Sequence, residues 1–413
     1  MTSLVLIVFL AFFAAEQLTQ TFLSFANLRH VVRAGYAVPP ALAGLVDPDS
    51  ARRSRDYAVA TNRAGIAHRL YDAVLTLVML FSGLLPWLDG FLGRRGLTPP
   101  NRFVAFLVAL SIAGGIAQLP WNLYATFVLE QRFGFNRTTP SLWLKDRLKA
   151  VLLGGAIGIP LLYALYGFFA LAGGAWWLWA FAFISAVQIL MVWLFPAVIA
   201  PLFNRFTPLP EGELRARLEA MAEEAGFRTR GLFVMDASKR SGHSNAYFTG
   251  FFRPRIVLFD TLVQQMTVDE AAAVLAHEIG HYRARHVHKR LLLGLAVQLA
   301  ALWIVSILVR WPPLFAAFGF GAPSFHGALA LASLCGGAFT FFFSPLEAAV
   351  SRRQEYAADR ESVRIARAPG ALRSALVKLG RENLSNLHPH PLYSAWHYSH
   401  PTLVERLAAI PER

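Results

Sequence analysis

The sequence predicts a mainly α-helical membrane protein of seven transmembrane helices, with a water-soluble unit that holds a small β-hairpin or sheet. Three observations predict it. Hydrophobic residues fill 55% of the 413 positions, charged residues only 15%, and the mean hydropathy is +0.44, a membrane profile and not a globular one. Apolar tracts long enough to cross a bilayer recur along the chain. Basic residues crowd into alternate connections between those tracts. The net charge of +14 accompanies long apolar runs, so it reads as cationic loops beside anionic lipid headgroups and not as a nucleic-acid surface. Cys335 is the only cysteine, which excludes a disulfide within the chain and thiolate metal sites.

Taken in order, spans are expected at about Ser3–Phe25, Ala73–Leu92 and Phe103–Leu123, the last ended by Pro120 and Asn122. Two more fit in the tract Ala150–Asn204, with a turn near Gly173-Gly174, and the last two run over Leu291–Val309 and about Ala322–Leu346. No Lys or Arg precedes Leu4–Ala15 and no clean small-residue cleavage site follows it, so this start reads as a retained span and not a cleaved signal. Arg29, Arg33, Arg52 and Arg53 load the first connection, and Arg132, Arg137, Lys145 and Lys149 the third. The connections between carry only Arg94, Arg95 and Arg102, then nothing, then Arg310. The alternation puts the N-terminus outside, and the large loop and C-terminus on the cytoplasmic side.

The chain therefore divides into residues 1–204 with five spans, a water-soluble segment 205–290, residues 291–350 with two spans, and a second water-soluble segment 351–413. Segment 205–290 opens with an amphipathic helix pattern, Glu211–Ala225, followed by a strand, Gly231–Met235. A hairpin comes next, Ala246–Phe251 and Arg255–Phe259, joined through Arg253-Pro254. The tail is helical in pattern. The two segments are expected to fold together as one domain, because each holds part of one site.

The stretch AVLAHEIGHYRARH contains His-Glu-x-x-His at His277, Glu278 and His281. Residues four apart share a helix face, so both imidazoles reach one tetrahedral Zn²⁺. Glu278 projects about 100° around the helix, where it can take a proton from an attacking water. Thr267 and Glu270 form a capping box that starts this helix. A catalytic zinc needs a third protein ligand and an open position. The segment SRRQEYAADRES offers Glu355 as that ligand, with Asp359 one turn on to fix a ligand imidazole through its free ring nitrogen. One Zn²⁺ per chain is expected.

At these residues the chain resembles the type I CAAX prenyl proteases, integral-membrane zinc endopeptidases of the Glu-zincin type. The resemblance covers most of the chain through SNAYFTGFF, RIVLFDTLV, VLAHEIGHYRARH, SRRQEYAADR and YSHPTLVERL. Two membrane-side stretches carry it too, LYATFVLEQRFGFNRTTP and FPAVIAPLFNRFTPLPEGEL. It implies a large water-filled chamber enclosed by the spans and closed at one end by a cytoplasmic zincin-type metallopeptidase domain. Polar residues within the spans, such as Glu16, Asp72, Asn122 and Gln188, are candidates to line it.

In zincins an edge strand ahead of the metal helix pairs with the substrate backbone, so the resemblance implies substrate contacts at Asn245 and Ala246. His400 either stabilises the oxyanion or starts a helix. Arg406 either meets a substrate carboxylate or pairs with Asp359. His286 and His288 face lipid headgroups or stand behind the ligands, and His388, His390 and His397 lack a trusted ligand spacing. The expected activity is peptide-bond hydrolysis by zinc-activated water, on peptides or membrane proteins, prenylated ones included, with no nucleic-acid partner. The competing reading is a channel, transporter or scaffold with a vestigial zinc domain, which would not need the base Glu278. The Ala, Arg, Leu and Gly bias suggests a GC-rich prokaryotic genome and membrane-protein quality control there; the membrane is then a prokaryotic cell membrane, or otherwise one of endoplasmic-reticulum type.

Overall fold

A computed structural model describes residues 1–227, 229–249 and 254–412. Among the described residues, seven helices are long and apolar enough to cross a membrane: Thr2–Ala34, Pro48–Phe81, Pro99–Glu130, Pro140–Leu171, Gly173–Phe203, His286–Leu308 and Phe325–Ala366. Their number matches the hydropathy reading, while several of their ends do not. The second span starts at Pro48, within the Arg-rich stretch, where the Asp47 carboxylate accepts the Ser50 N–H and caps the helix. It stops at Phe81, because Gly83 turns the chain with φ 78°, and Leu84–Arg94 forms a separate helix. The third span runs past Pro120 to Glu130, its last six residues in π-helical geometry, with the Asn122 side chain donating to the Gln118 carbonyl.

Each span is joined to the next, and the seventh to the first. Phe9 packs on Phe81, Tyr71 donates to the Ala117 carbonyl, and Tyr163 donates to Asn101. Phe168 meets Phe183, Gln188 donates to Gln298, Arg290 donates to Gln354, and Phe12 packs on Phe339. One end of the ring is filled by a cluster that includes Phe9, Leu85, Phe103, Phe106, Trp176, Phe315 and Phe325. The fourth span buries no residue fully, although its Leu162, Leu165, Tyr166 and Phe169 pack against that cluster. Of the polar residues inside spans, Asp72 accepts from Gln118 and Gln188 reaches Gln298, so both tie neighbouring helices.

The water-soluble unit lies at the other end. Its sheet has the order β1 (Phe206–Pro208), β2 (Leu232–Met235), β4 (Arg255–Phe259), β3 (Ala246–Thr249). Strands β2 and β4 are parallel, while β1 and β3 flank them antiparallel, leaving β3 at one edge. The expected hairpin is present as β3 and β4, with Ala246 opposite Leu258; its link through Arg253 lies outside the described residues. The helix α1 (Glu213–Glu224) contributes Leu218 and Met221 to a core with Leu232, Ile256, Leu258, Leu275 and Ile279.

Candidate metal centre

The motif helix α2 (Val268–Arg283) starts as expected: Thr267 accepts the Glu270 N–H, and the Glu270 carboxylate accepts the Thr267 N–H. Ala271 to Ala276 and Ile279 are all buried, so the helix is apolar nearly all round and runs through the core of the unit. Beside it lies α3 (Ser344–Ala366), the lower part of the seventh span's helix, which carries Glu355 and Asp359 across the division expected at residue 350.

Three ligand atoms converge. His277 Nε2 lies 3.1 Å from His281 Nε2, 3.4 Å from Glu355 Oε2, while His281 Nε2 lies 3.4 Å from Glu355 Oε1. Two donors on a tetrahedral zinc with bonds near 2.05 Å stand about 3.3 Å apart, so the spacing fits such an ion. Glu355 Oε2 is buried with no hydrogen-bond partner, an orphaned acceptor that a cation would satisfy. Burial lowers the His277 pKa, but the Asp359 and Glu355 carboxylates beside the ring outweigh it and push the group up to about 9, so positive charge is favoured there. Among the described residues this is the one group of three or more His, Cys, Asp or Glu placed to hold a metal.

Behind the ligands, Asp359 Oδ1 sits 2.9 Å from His277 Nδ1. Arg406 takes the second of its two expected places, donating from Nε to Asp359 Oδ2 at 2.8 Å and from Nη2 to Oδ1. The helix that brings it, Leu403–Ala409, opens with its own capping box, Thr402 and Glu405. His281 is backed differently: its Nδ1 lies 2.9 Å from His286 Nδ1. The motif helix does not run straight into the sixth span, as its sequence suggests. It ends at Arg283, Arg285 adopts a left-handed φ of 53°, and the turn brings buried His286 back under His281.

Glu278 is half-buried. Burial raises its pKa above the ordinary 4.5, against the opposing pull of the two imidazoles. His400 Nε2 lies 3.5 Å from Glu355 Oε1 with most of its side chain open to solvent. Asn245 precedes the edge strand; its Oδ1 accepts the Ala246 N–H, and its carbonyl accepts from Phe259 N. Ala246 is buried against the core. His388 donates from Nε2 to the Ala37 carbonyl, His390 caps Leu392, and His397 packs on Tyr393, so these three serve separate contacts. Sequence reasoning passed over Gly280, whose only signal is a glycine inside a helix, and the cluster around His243 described below.

Residues 27–205 match the CAAX prenyl protease N-terminal region of five membrane helices, and residues 208–413 match peptidase family M48. The CAAX prenyl protease 1 homolog of Arabidopsis thaliana is 39% identical over 395 residues, covering 90% of each chain. CAAX prenyl protease 1 of Saccharomyces cerevisiae is 36% identical over 402 residues, covering 90% of this chain and 88% of its own. The crystal structure of S. mikatae Ste24p superposes with a TM-score of 0.91 at 32% identity, over 98% of both chains.

Proposed function

The chain belongs to the CAAX prenyl proteases, membrane metallopeptidases of family M48, and on that premise we propose that it is a zinc endopeptidase cutting near the C-terminus of membrane-delivered chains. The observation that carries the reading is the convergence of His277, His281 and Glu355 around an orphaned carboxylate oxygen, with a carboxylate base one residue after the first ligand. The family and that base disfavour a channel or scaffold with a vestigial site.

His277, His281 and Glu355 would hold the zinc ion, which would supply Lewis acidity toward the scissile carbonyl and an attacking water. Glu278 accepts the proton of that water and returns it to the leaving amine. His400, open on the side away from Glu355, donates to the oxyanion as charge develops there. Asp359 accepts from His277 Nδ1–H, keeping Nε2 bare for the metal, and Arg406 holds Asp359 in place. The free edge of β3, at Asn245 and Ala246, pairs with the substrate backbone.

A chamber within the ring, of the kind the family resemblance implies, receives the rest of the substrate, and a prenyl group helps by adding apolar contact, about 0.8 kcal/mol per buried CH₂. It is not required. In a prokaryote without prenylated proteins, the same site serves membrane-protein quality control. The site faces the cytoplasm, by the bias of basic residues. The test compares kcat/KM for matched peptides with and without a farnesyl group in detergent, with and without a zinc chelator. Chelator-sensitive cleavage of both supports the proposal. No cleavage of any unlipidated peptide rejects the claim that the lipid is dispensable, and cleavage of neither rejects the function.

A further inference from the structure

We propose that His243, clamped between Glu130 and Asn383, is the positioning residue that sets the substrate strand and fastens it to the membrane ring. The proposal rests on the reading of β3 as the strand that pairs with substrate.

After the third span the chain doubles back. Residues 135–137 then pair with 240–242: Gly242 N donates to the Phe135 carbonyl at 2.9 Å, Arg137 N donates to the Arg240 carbonyl at 3.1 Å, and Asn136 bridges Ser241. The His243 ring lies flat on Phe135, with centroids 3.9 Å apart and planes 19° apart. Its Nε2 is 3.2 Å from Glu130 Oε2, and its Nδ1 is 3.0 Å from Asn383 Oδ1. The orientation of the Asn383 amide follows from Ser244, whose N–H donates to Oδ1 at 3.1 Å and whose carbonyl accepts from Nδ2 at 3.3 Å. Both ring nitrogens therefore face acceptors with no proton to give, which is the environment of an imidazolium. A phenyl face beneath the ring favours that cation further.

The clamp reaches into the membrane ring. Glu130 Oε1 accepts from Tyr57 of the second span at 2.7 Å, and Arg240 donates to Asp146 of the fourth span at 2.8 Å and to Asn204. On the other side Thr261 donates to the His243 carbonyl, and Asn383 brackets the backbone of Ser244, two residues ahead of β3. The register of the free edge thus depends on one charged ring. Glu130 and, behind it, Tyr57 are the titratable groups that face it, while Arg240 turns to Asp146. The Glu130 hydrogen bond holds the His243 pKa above 6.5 despite burial.

The experiment measures KM and kcat for an internally quenched farnesylated peptide with Glu130→Gln, His243→Ala and Asn245→Ala, alongside zinc content. A hydrogen bond to a charged group contributes more than a neutral one, so Glu130→Gln and His243→Ala should raise KM roughly tenfold, with kcat within about twofold and zinc retained. His243→Gln, which keeps a donor toward Glu130, should recover part of the loss. Wild-type KM should climb as pH rises through the elevated His243 pKa, and Glu130→Gln should move that climb to lower pH. Hydrogen exchange on the wild type guards against unstable variants: amides 244–249, corrected for intrinsic rates, should lose protection over the same pH interval. If Asn245→Ala raises KM while Glu130→Gln and His243→Ala do not, or if protection stays flat with pH, the clamp is overturned. If Asn245→Ala also leaves KM unchanged, the strand reading fails and takes this proposal with it.

Discussion

Gly280 and Ala358 mark where the two ligand-bearing helices touch: a β-carbon on Gly280 would lie 3.0 Å from the Ala358 carbonyl oxygen and 3.1 Å from its Cα. His277 and His281 flank Gly280 on one helix, and Glu355 precedes Ala358 by about one turn on the other. The missing side chain lets the helices approach until the imidazoles and the carboxylate share one point. Two turns earlier on the motif helix, the Ala273 carbonyl accepts from Ser362 at 2.7 Å and holds the same approach.

Gly280→Ala should therefore part the helices by a few tenths of an ångström and cost about 1–3 kcal/mol, as overpacking does. The expected result is a lower Tm and weaker zinc retention in the purified variant. Gly294→Ala is the control, since nothing lies within 4 Å of a β-carbon there. Equal Tm and zinc retention in both variants would contradict the close approach.

Asp359→Asn replaces an acceptor-only group beside His277 Nδ1 with an amide that can present a donor. The ring then loses its fixed tautomer, and zinc affinity should fall by roughly 10–100-fold, the range for removing a partner of a ligand histidine. Competition with a chelator of known affinity reads this directly. His286→Ala should weaken zinc in the same way through His281, because the two Nδ1 atoms are 2.9 Å apart.

The acid limb of stability should depend on Glu270. Burial raises its pKa, but Lys378 at 2.6 Å and Ser374 at 2.6 Å outweigh burial and hold it below 4.5. A depressed carboxylate contributes stability that is present above its unfolded pKa and lost as pH falls through the folded one. Thermal melts should thus lose Tm only below about pH 4.5 on this account. With Lys378→Met the decline should start at higher pH, and the neutral-pH loss should approach the ~3 kcal/mol of a stranded buried charge. Superimposable acid limbs for the two proteins would count against the pairing.

Orientation is tested at Lys239, in a short 3₁₀ turn of the peptidase unit. In a Cys335→Ser background, a cysteine at 239 should be labelled by an impermeant maleimide only after sealed cells are opened. Labelling in intact cells would reverse the orientation and with it the cytoplasmic placement of the site.

The pairing of His277 with His281 was legible because helix geometry alone places residues four apart on one face, and a capping box announced that helix. Span number was legible from hydropathy, but span ends were not. Hydropathy does not register a helix that continues past the bilayer, as at Pro48 and Glu130, nor one that breaks at Gly83 inside an apolar tract. The clamp was illegible for another reason: His243 meets Glu130 and Asn383 across 113 and 140 residues, separations that no local pattern encodes. The turn at Arg285 that returns His286 to His281 likewise carries no glycine to announce it.

The most direct test is metal analysis and peptide turnover on purified wild type, Glu278→Gln and Glu355→Ala, side by side. The wild type should hold one zinc per chain and cleave the farnesylated peptide. Glu278→Gln should keep its zinc and lose turnover by several orders of magnitude, because the base is not a ligand. Glu355→Ala should lose both. Loss of zinc in Glu278→Gln, or full turnover in either variant, would contradict the account.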